Sequence, residues 1–197
     1  MKHDEFFRKH PVFTGEELAK HLSSHGEVGR RAQEALLAYH QKAGRLVRVR
    51  RGLYAVIPSG ADTDSYAVDP FLVAAKLTPD SVLSHHTALE FHGKAHSVYT
   101  RITYSASRPL GPLTFRSHVF RGTRFPHSLL RAGKIQVGVS TSERAGMELR
   151  VASLERTLVD VLDRPDLSGS WEEIWRSLES VEFFDLDKVV EYALLLG

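Results

Sequence analysis

A basic hairpin pattern in the first third of the chain constrains the fold more than any other feature. Apolar and basic residues alternate from Leu46 to Arg50, Arg51-Gly52 follows, and a second apolar run covers residues 53–57. Alternation with a period of two is typical of a half-buried strand, and Arg51-Gly52 suits a tight turn. The segment therefore predicts a two-stranded hairpin with arginines on one strand and at its tip.

Two helices with clear end signals precede this hairpin. The first is a short segment that ends before Pro11. In the second, Thr14 can cap the helix and Glu17, three residues later, can complete a capping box. Phe13 and Leu18 hold the two positions of a hydrophobic staple. These signals predict a helix that starts just after Thr14.

A third helix is predicted from Val28 to Ala43, where Gly44 can end it. A helical wheel places one stripe inward: Val28, Ala32, Ala35, Leu36, Tyr39 and Ala43. The wheel places the opposite stripe outward: Arg30, Gln33, Glu34, Leu37, His40 and Gln41. Arginine and glutamine can donate hydrogen bonds to base edges and phosphates, and a leucine can meet a thymine methyl group.

The order of these elements is that of a winged helix-turn-helix. In such a domain the recognition helix lies in the major groove, and wing arginines reach phosphates or the minor groove. The predicted DNA-binding residues are Arg30, Arg31, Gln33, Gln41, Arg48, Arg50 and Arg51. The alternative is a small helix–hairpin domain whose arginines are merely solvated. An RNA target stays open, although the segment has no aromatic stacking platform.

Charge and composition divide the chain into a front domain (1–58), a linker (59–66) and a second region (67–197). Residues 1–58 carry 11 lysines and arginines against 6 acidic residues, a net charge of +5. Residues 151–197 carry 4 against 11, a net charge of −7. This asymmetry indicates an anionic partner for the front and a different task for the back.

The second region has the texture of a mixed α+β domain. Strands are predicted at Tyr99–Ser105, Leu113–Arg121 and Ile135–Val139, with a further short one at Glu148–Val151. Helices are predicted near 70–77, 84–92, 153–164, 171–178 and 186–196, and Trp171 and Trp175 are expected to pack one of them on the core. The fold class is therefore α+β: a winged helix-turn-helix followed by a small sheet flanked by helices.

Several patterns that suggest catalysis or metal binding are incomplete. His85, His86, His92 and His96 lie close together in sequence, but only His92 and His96 have the i, i+4 spacing of a helical zinc site, and Glu90 is the one carboxylate nearby. Ser84 has neither a nucleophile elbow motif nor a dependable orienting acid. Asp160 and Asp163 are expected on the solvated face of a helix. We therefore predict no catalytic residue, no metal and no cofactor, and no enzymatic activity.

The chain has no cysteine, which excludes disulfides, thiolate metal sites and a catalytic thiol. Its first residues, MKHDEFFRKH, lack the apolar run of a signal peptide. No stretch approaches the ~18 apolar residues of a membrane span. We therefore expect a cytoplasmic protein with no membrane partner.

Three stretches, taken in order, resemble the AbiEi antitoxins of type IV (abortive infection) toxin–antitoxin systems. The first is Gly44–Tyr54 at the end of the front domain. The second runs from Asp69-Pro70-Phe71 to the SHHTALEFHG segment at 84–93, and the third is the SLERTLVDVLDRP segment at 153–165. Each motif alone is weakly specific, whereas the ordered set spans most of the chain.

The resemblance implies a winged helix that binds operator DNA repeats and represses its own operon, and a second domain required for antitoxin action. It implies a nucleotidyltransferase-like toxin encoded beside it, with no need for direct contact. From its size alone, we expect the chain to bind DNA as a monomer or a dimer. Family members commonly continue past the last helix, so we expect a short variant or a truncated chain here.

Two other functions remain open at this point. A nucleic-acid-processing enzyme could use the front domain only to deliver substrate, in which case His85, His86 or Glu148 would carry the activity. A protein-interaction module could use the acidic helices from Glu155 to Glu191 to hold a basic toxin.

Overall fold

A computed structural model describes residues 3–26 and 29–197, and its first elements follow the order of a winged helix. They are α1 (Asp4–Lys9), β1 (Val12–Thr14), α2 (Gly15–Ser24), α3 (Arg30–Lys42), β2 (Leu46–Arg50) and β3 (Leu53–Val56). The strands form an antiparallel sheet in the order β1-β3-β2. The winged helix-turn-helix prediction is confirmed, while the predicted helix start at Val28 lies outside the described residues.

The start of α2 is fixed by the capping box that the sequence predicts. The Thr14 hydroxyl oxygen accepts a hydrogen bond from the Glu17 N–H at 3.2 Å, and a Glu17 carboxylate oxygen accepts one from the Thr14 N–H at 2.7 Å. Phe13 and Leu18, the two staple residues, are fully buried. This prediction is confirmed because all the contacts it needs are local.

The buried face of α3 is rotated from the predicted one, and of the described residues in the predicted inward stripe only Leu36 packs against the core. Leu37 and His40, expected outward, are buried, whereas Tyr39, expected inward, is 61% exposed. The alanines of the predicted inward stripe are exposed as well. The His40 ring lies edge-on to Phe7 of α1 at a centroid distance of 4.9 Å. The predicted orientation is wrong because alanines, which bury little apolar area, dominated the predicted stripe.

The three-stranded sheet is covered on both faces. In β3, Tyr54 packs with the helices of the front domain, and Ala55 on the opposite face joins a larger core shared with the second region. Successive side chains of a strand alternate in this way. In β2, Val49 joins the larger core beside a register shift between Arg48 and Arg50. With both faces covered, the hairpin offers its tip and edge to a ligand.

The second region is α+β, as predicted. Its helices are α4 (Pro70–Ala75), α5 (His86–Phe91), α6 (His127–Ala132), α7 (Leu154–Asp163), α8 (Trp171–Glu179) and α9 (Leu186–Leu196). Its strands are β4 (Val82–Leu83), β5 (Arg101–Ala106), β6 (Leu113–Phe115), β7 (His118–Arg124), β8 (Val139–Arg144) and β9 (Met147–Ala152). Within the described chain they form one sheet in the order β6-β7-β5-β4-β9-β8, with β5–β7 and β4–β9 parallel.

Two predicted strands differ from the structure. The expected single strand Leu113–Arg121 is split into β6 and β7 by a turn at Arg116, whose φ is +54°. The Arg116 guanidinium donates to the backbone carbonyls of Thr63 and Asp64, which ties this turn to the predicted linker. The expected strand at 135–139 is largely a turn, and β8 begins where it ends.

The C-terminal helices correct two further expectations. Trp171 and Trp175 of α8 are 61% and 66% exposed, because the helix buries Glu173 and Ile174 instead. Asp160, expected on a solvated face, is buried on α7. In the described ranges, no helix is both long enough and apolar enough to cross a membrane.

Candidate nucleic-acid interface

A cleft of about 1190 Å³ opens between the front domain and the second region. One wall consists of the first turns of α2 and α3 and the hairpin tip, and the other of the segment after α4 and strands β8 and β9. Its charged side chains are Lys20, Arg30, Arg50, Arg51, Lys76 and Arg150, with Glu16, Glu17 and Glu148 opposing them. The excess of positive charge suits a polyanion.

Part of this positive charge is already neutralised within the protein. Lys76 forms an ion pair with Glu17. Although burial alone would raise the pKa of the Glu17 carboxyl, hydrogen bonds from Lys76 and Thr14 hold that pKa below its ordinary value. Glu17 is therefore ionised at neutral pH and keeps Lys76 occupied. Arg150 donates to the Pro79 carbonyl at 2.6 Å.

Besides the exposed Lys20 of α2, the hairpin tip supplies the cations of the cleft that have no acidic or carbonyl partner among the described residues. The Gly15 N–H donates to the Gly52 carbonyl at 2.8 Å, which fixes the tip against the start of α2. Gly52 has a φ of +79°, a conformation that glycine adopts without strain. Arg51 is exposed and Arg50 half-buried, and neither has a hydrogen bond or ion pair within the described residues. A firmly held turn thus presents two unpaired guanidinium groups.

The other predicted DNA-binding residues on α3 and β2 differ in whether they already have a polar partner within the protein. Arg31, Gln41 and Arg48 are exposed and have no polar partner in the part of the chain that the structure describes. Arg30 is exposed but pairs with Glu34 at 2.8 Å.

Gln33 differs from the other predicted DNA contacts. It is half-buried, and its side-chain amide donates to the Gly15 carbonyl at 2.5 Å. This bond joins the start of α3 to the start of α2. Gln33 could reach DNA only after giving up that bond, whereas its neighbour Arg31 is available without any rearrangement.

Sequence reasoning missed two residues on the exposed face of α3. Tyr39 and Lys42 lie on that face together with Arg31. A signal was present in the sequence, because Leu36 and Leu37 are the only leucines of this helix. A wheel that gives leucine more weight than alanine places the side with Leu36 and Leu37 inward and leaves Tyr39 exposed.

The residues proposed for an enzymatic alternative are not brought together. The Ser84 hydroxyl lies 3.0 Å from Nδ1 of His85 and accepts a hydrogen bond from Ser105 at 2.9 Å. His85 has a strained φ of +56°, and burial lowers its pKa. His86 faces a different cluster, and Glu148 lines the basic cleft. Ser84 and His85 are buried, so a substrate would reach them only if the surrounding structure opened.

His86 lies between two carboxylates in the core of the second region. Its Nε2 is 3.2 Å from Glu173 and its Nδ1 is 3.5 Å from Glu90. The imidazole also stacks on Tyr99 at 3.9 Å, and the Tyr99 N–H donates to Glu90 at 2.5 Å. Burial, reinforced by the charge of Glu173, raises the pKa of Glu90 to about 7. The cluster joins α5 to α8 and the segment before β5.

The raised pKa of Glu90 predicts a pH-dependent stability. The folded state holds this proton up to about pH 7, whereas the unfolded state releases it near the ordinary pKa of 4.5, so stability falls as the pH rises between these values. Glu90→Gln should remove the cost of burying a charged carboxylate. Its free energy of unfolding should exceed that of wild type by up to about 3 kcal/mol at pH 8 and by little at pH 4.5. Urea unfolding at both pH values measures this. If the free energy of unfolding depends on pH in the same way in both proteins, the pKa of Glu90 is not raised.

The histidines do not form a metal centre in the described ranges. No group of three or more histidine, aspartate or glutamate side chains is placed there to hold a metal ion. Nε2 of His92, for example, lies 2.8 Å from the Ala152 carbonyl and helps to seat α5 on β9.

The fold and the cleft define a class of protein: a winged helix joined to an α+β body, with basic side chains at the junction. Residues 2–57 match the family described as "Transcriptional regulator, AbiEi antitoxin". This match confirms the resemblance over the front domain and supports a role as a DNA-binding regulator.

Among solved structures, the chain is similar to the RV2827C protein from Mycobacterium tuberculosis. The TM-score is 0.54 at 19% identity, over 92% of this chain and 65% of that chain. At this identity the likeness shows the fold alone, and the chain spans less than two thirds of that protein. A comparison with curated proteins finds no match.

Proposed function

We propose that this chain is a DNA-binding transcriptional autorepressor that serves as the antitoxin of a type IV (abortive infection) toxin–antitoxin system. The observation that carries the proposal is the match of residues 2–57 to AbiEi transcriptional regulators. The exposed face of α3 and the arginines at the hairpin tip support it, because a winged helix binds DNA with these two parts.

The proposed mechanism begins with electrostatic docking on operator repeats in the protein's own promoter. The exposed face of α3 enters the major groove, where Arg31 near the start of the helix and Tyr39 near its end are placed to read bases. Arg50 and Arg51 at the wing tip contact phosphates or the minor groove. We assign DNA binding to residues 1–58, with 59–66 as linker. No catalytic step is part of this mechanism.

The antitoxin part of the proposal concerns residues 67–197. The functional partner is a nucleotidyltransferase-like toxin, and direct contact with it is not required. Support comes from the family match of the front domain, together with the motifs at 84–93 and 153–165.

The experiment that tests the proposal is a fluorescence-anisotropy titration with the protein's own upstream DNA and with a scrambled duplex, at two salt concentrations. We expect preferential, salt-sensitive binding to the upstream DNA. Equal, weak binding to both duplexes would contradict sequence-specific repression.

The orientation of α3 predicts which residues set sequence preference. Arg31→Ala or Tyr39→Ala should reduce discrimination between operator and scrambled DNA by roughly tenfold, the effect of losing about 1.4 kcal/mol of base contact. Arg108→Ala, which removes an exposed arginine of the second region without a polar partner in the described chain, is the control. Competition titrations with single-base operator variants measure the change. An altered preference in Gln33→Ala but not in Arg31→Ala would contradict the assignment of base contacts to Arg31.

A further inference from the structure

The cleft beside the hairpin tip has a second wall, which belongs to residues 67–197. This second wall consists of the segment that follows α4 and of parts of β8 and β9. Lys76, directly after α4, forms its ion pair with Glu17 in the first turn of α2 and so ties the second wall to the front domain. The start of α2 is in turn bonded to the hairpin tip through Gly15 and Gly52. The second wall and the hairpin tip are therefore held in a defined arrangement across the cleft.

Arg150 is the cation that the second wall offers to a ligand. It is half-buried on β9, and within the described residues its guanidinium donates one hydrogen bond, to the Pro79 carbonyl at 2.6 Å. A carbonyl carries no net charge and a guanidinium has five N–H donors, so the charge of Arg150 and most of its donors stay available. Thr141, its cross-strand partner on β8, is exposed and lines the cleft with a hydroxyl group. The second wall thus presents two groups that can bind phosphate oxygens.

The size and lining of the cleft favour a strand of nucleic-acid backbone over a small molecule. Pockets for small ligands enclose roughly 300–1,000 Å³ and are mostly apolar and aromatic. This cleft encloses about 1190 Å³, and its lining in the described chain contains six cationic side chains and no aromatic one. Without aromatic side chains it offers no stacking platform for the bases of a single strand. The partner that fits is the charged sugar-phosphate backbone of a duplex.

We propose that one backbone strand of the bound DNA runs through this cleft, with Arg50 and Arg51 on one side and Arg150 and Thr141 on the other. The inference rests on the proposed function, because it takes the duplex to lie where α3 and the hairpin tip place it. It extends the DNA contact beyond residues 1–58 and gives the second region a part in operator binding. Base reading stays with α3, since phosphates carry no sequence information.

Removing the charge of Arg150 should weaken DNA binding without changing sequence preference. Arg150→Ala should lower the affinity for upstream and scrambled duplexes alike by about tenfold, the effect of one charge-assisted phosphate contact. The slope of log affinity against log salt should fall by about 1. Arg150→Lys keeps the charge and should keep the slope.

Glu148 provides a test of the opposite sign. It is exposed on β9, two residues before Arg150 and therefore on the same face of the strand, and it also lines the cleft. Its carboxylate repels a phosphate at this position, so Glu148→Gln should tighten binding by roughly threefold or more. A gain in affinity cannot arise from partial unfolding, so this variant stays informative even if Arg150→Ala folds poorly.

Anisotropy titrations at four or more salt concentrations compare these variants with two matched controls. Arg131→Ala and Glu182→Gln make the same charge changes at exposed positions outside the cleft lining, and each should alter the affinity less than about twofold. The inference requires both cleft variants to exceed their controls, in opposite directions.

Two results would overturn the inference, and they are distinguishable. If wild type prefers the upstream duplex but either cleft variant behaves like its control, no backbone strand passes along the second wall, and the proposed function stands without this contact. If wild type binds both duplexes equally weakly, the proposed function itself fails, and the inference that rests on it fails as well.

Discussion

Replacing Arg50 and Arg51 together by alanine should weaken binding to the upstream DNA roughly 100-fold, because each charge-assisted hydrogen bond to a phosphate contributes about 1.5 kcal/mol or more. The loss should apply to every sequence alike, since phosphates carry no sequence information. The slope of log affinity against log salt should fall by about 2, as two fewer counterions are released. Anisotropy titrations at four or more salt concentrations measure both quantities.

The matched control removes the same charge from another surface. Arg108→Ala with Arg131→Ala also changes the net charge by two, and both arginines are exposed on the second region without polar partners in the described chain. We expect a loss of less than about threefold from this variant, through long-range electrostatics alone. If both double variants lose affinity equally, the positive surface as a whole binds DNA, and the wing tip has no special role.

The sequence predicted those features of the front domain that depend on neighbouring residues. Thr14 and Glu17 form their capping box because three residues of helix bring them together whatever surrounds them. The orientation of α3 depends instead on Phe7, which packs against His40 and buries a polar residue. A helical wheel contains no information about that partner.

The cleft could not be predicted from the sequence at all. Its charged residues range from Glu16 to Arg150, and they meet because the second region packs on the outer face of the hairpin sheet. The same packing covers the faces of the hairpin, so the sequence indicated basic strands where the structure offers mainly a basic tip. Candidate contacts on the tip were predictable, whereas their surroundings were not.

In the acidic C-terminal segment, residue polarity predicts the wrong side chains to be buried. Glu173 and Asp160 are buried and engaged by Ser97 and Tyr192, while Trp171 and Trp175 are exposed. Charged residues are rarely buried unless they are paired, so polarity normally predicts exposure. Here the partners come from distant parts of the chain, and a single-sequence analysis has no means of finding them.

Arg156→Ala should cause a large loss of stability in the second region. Arg156 is 1% exposed. Its guanidinium donates to the carbonyls of Ile135 and Val137 at 2.8 and 2.9 Å, and its Nε is 3.5 Å from the Asp160 carboxylate. It also lies 5.0 Å from the centre of the Tyr192 ring of α9. One side chain therefore joins the turn before β8 to α7 and α9.

Removing this arginine leaves the Asp160 carboxylate buried without its counter-charge, which should cost about 3–5 kcal/mol. For a chain of 197 residues this corresponds to a fall in Tm of roughly 6–20 °C, measurable by calorimetry. Arg176→Ala is the matched control, because Arg176 also pairs with an acid one helical turn away, Glu172 at 3.0 Å, but is half exposed. That exposed pair should contribute less than about 1 kcal/mol.

Adding Asp160→Asn to Arg156→Ala should restore part of the lost stability, since no unpaired charge then remains buried. If the second substitution instead adds its full separate cost, the arginine stabilises the fold through its carbonyl and ring contacts rather than through its charge.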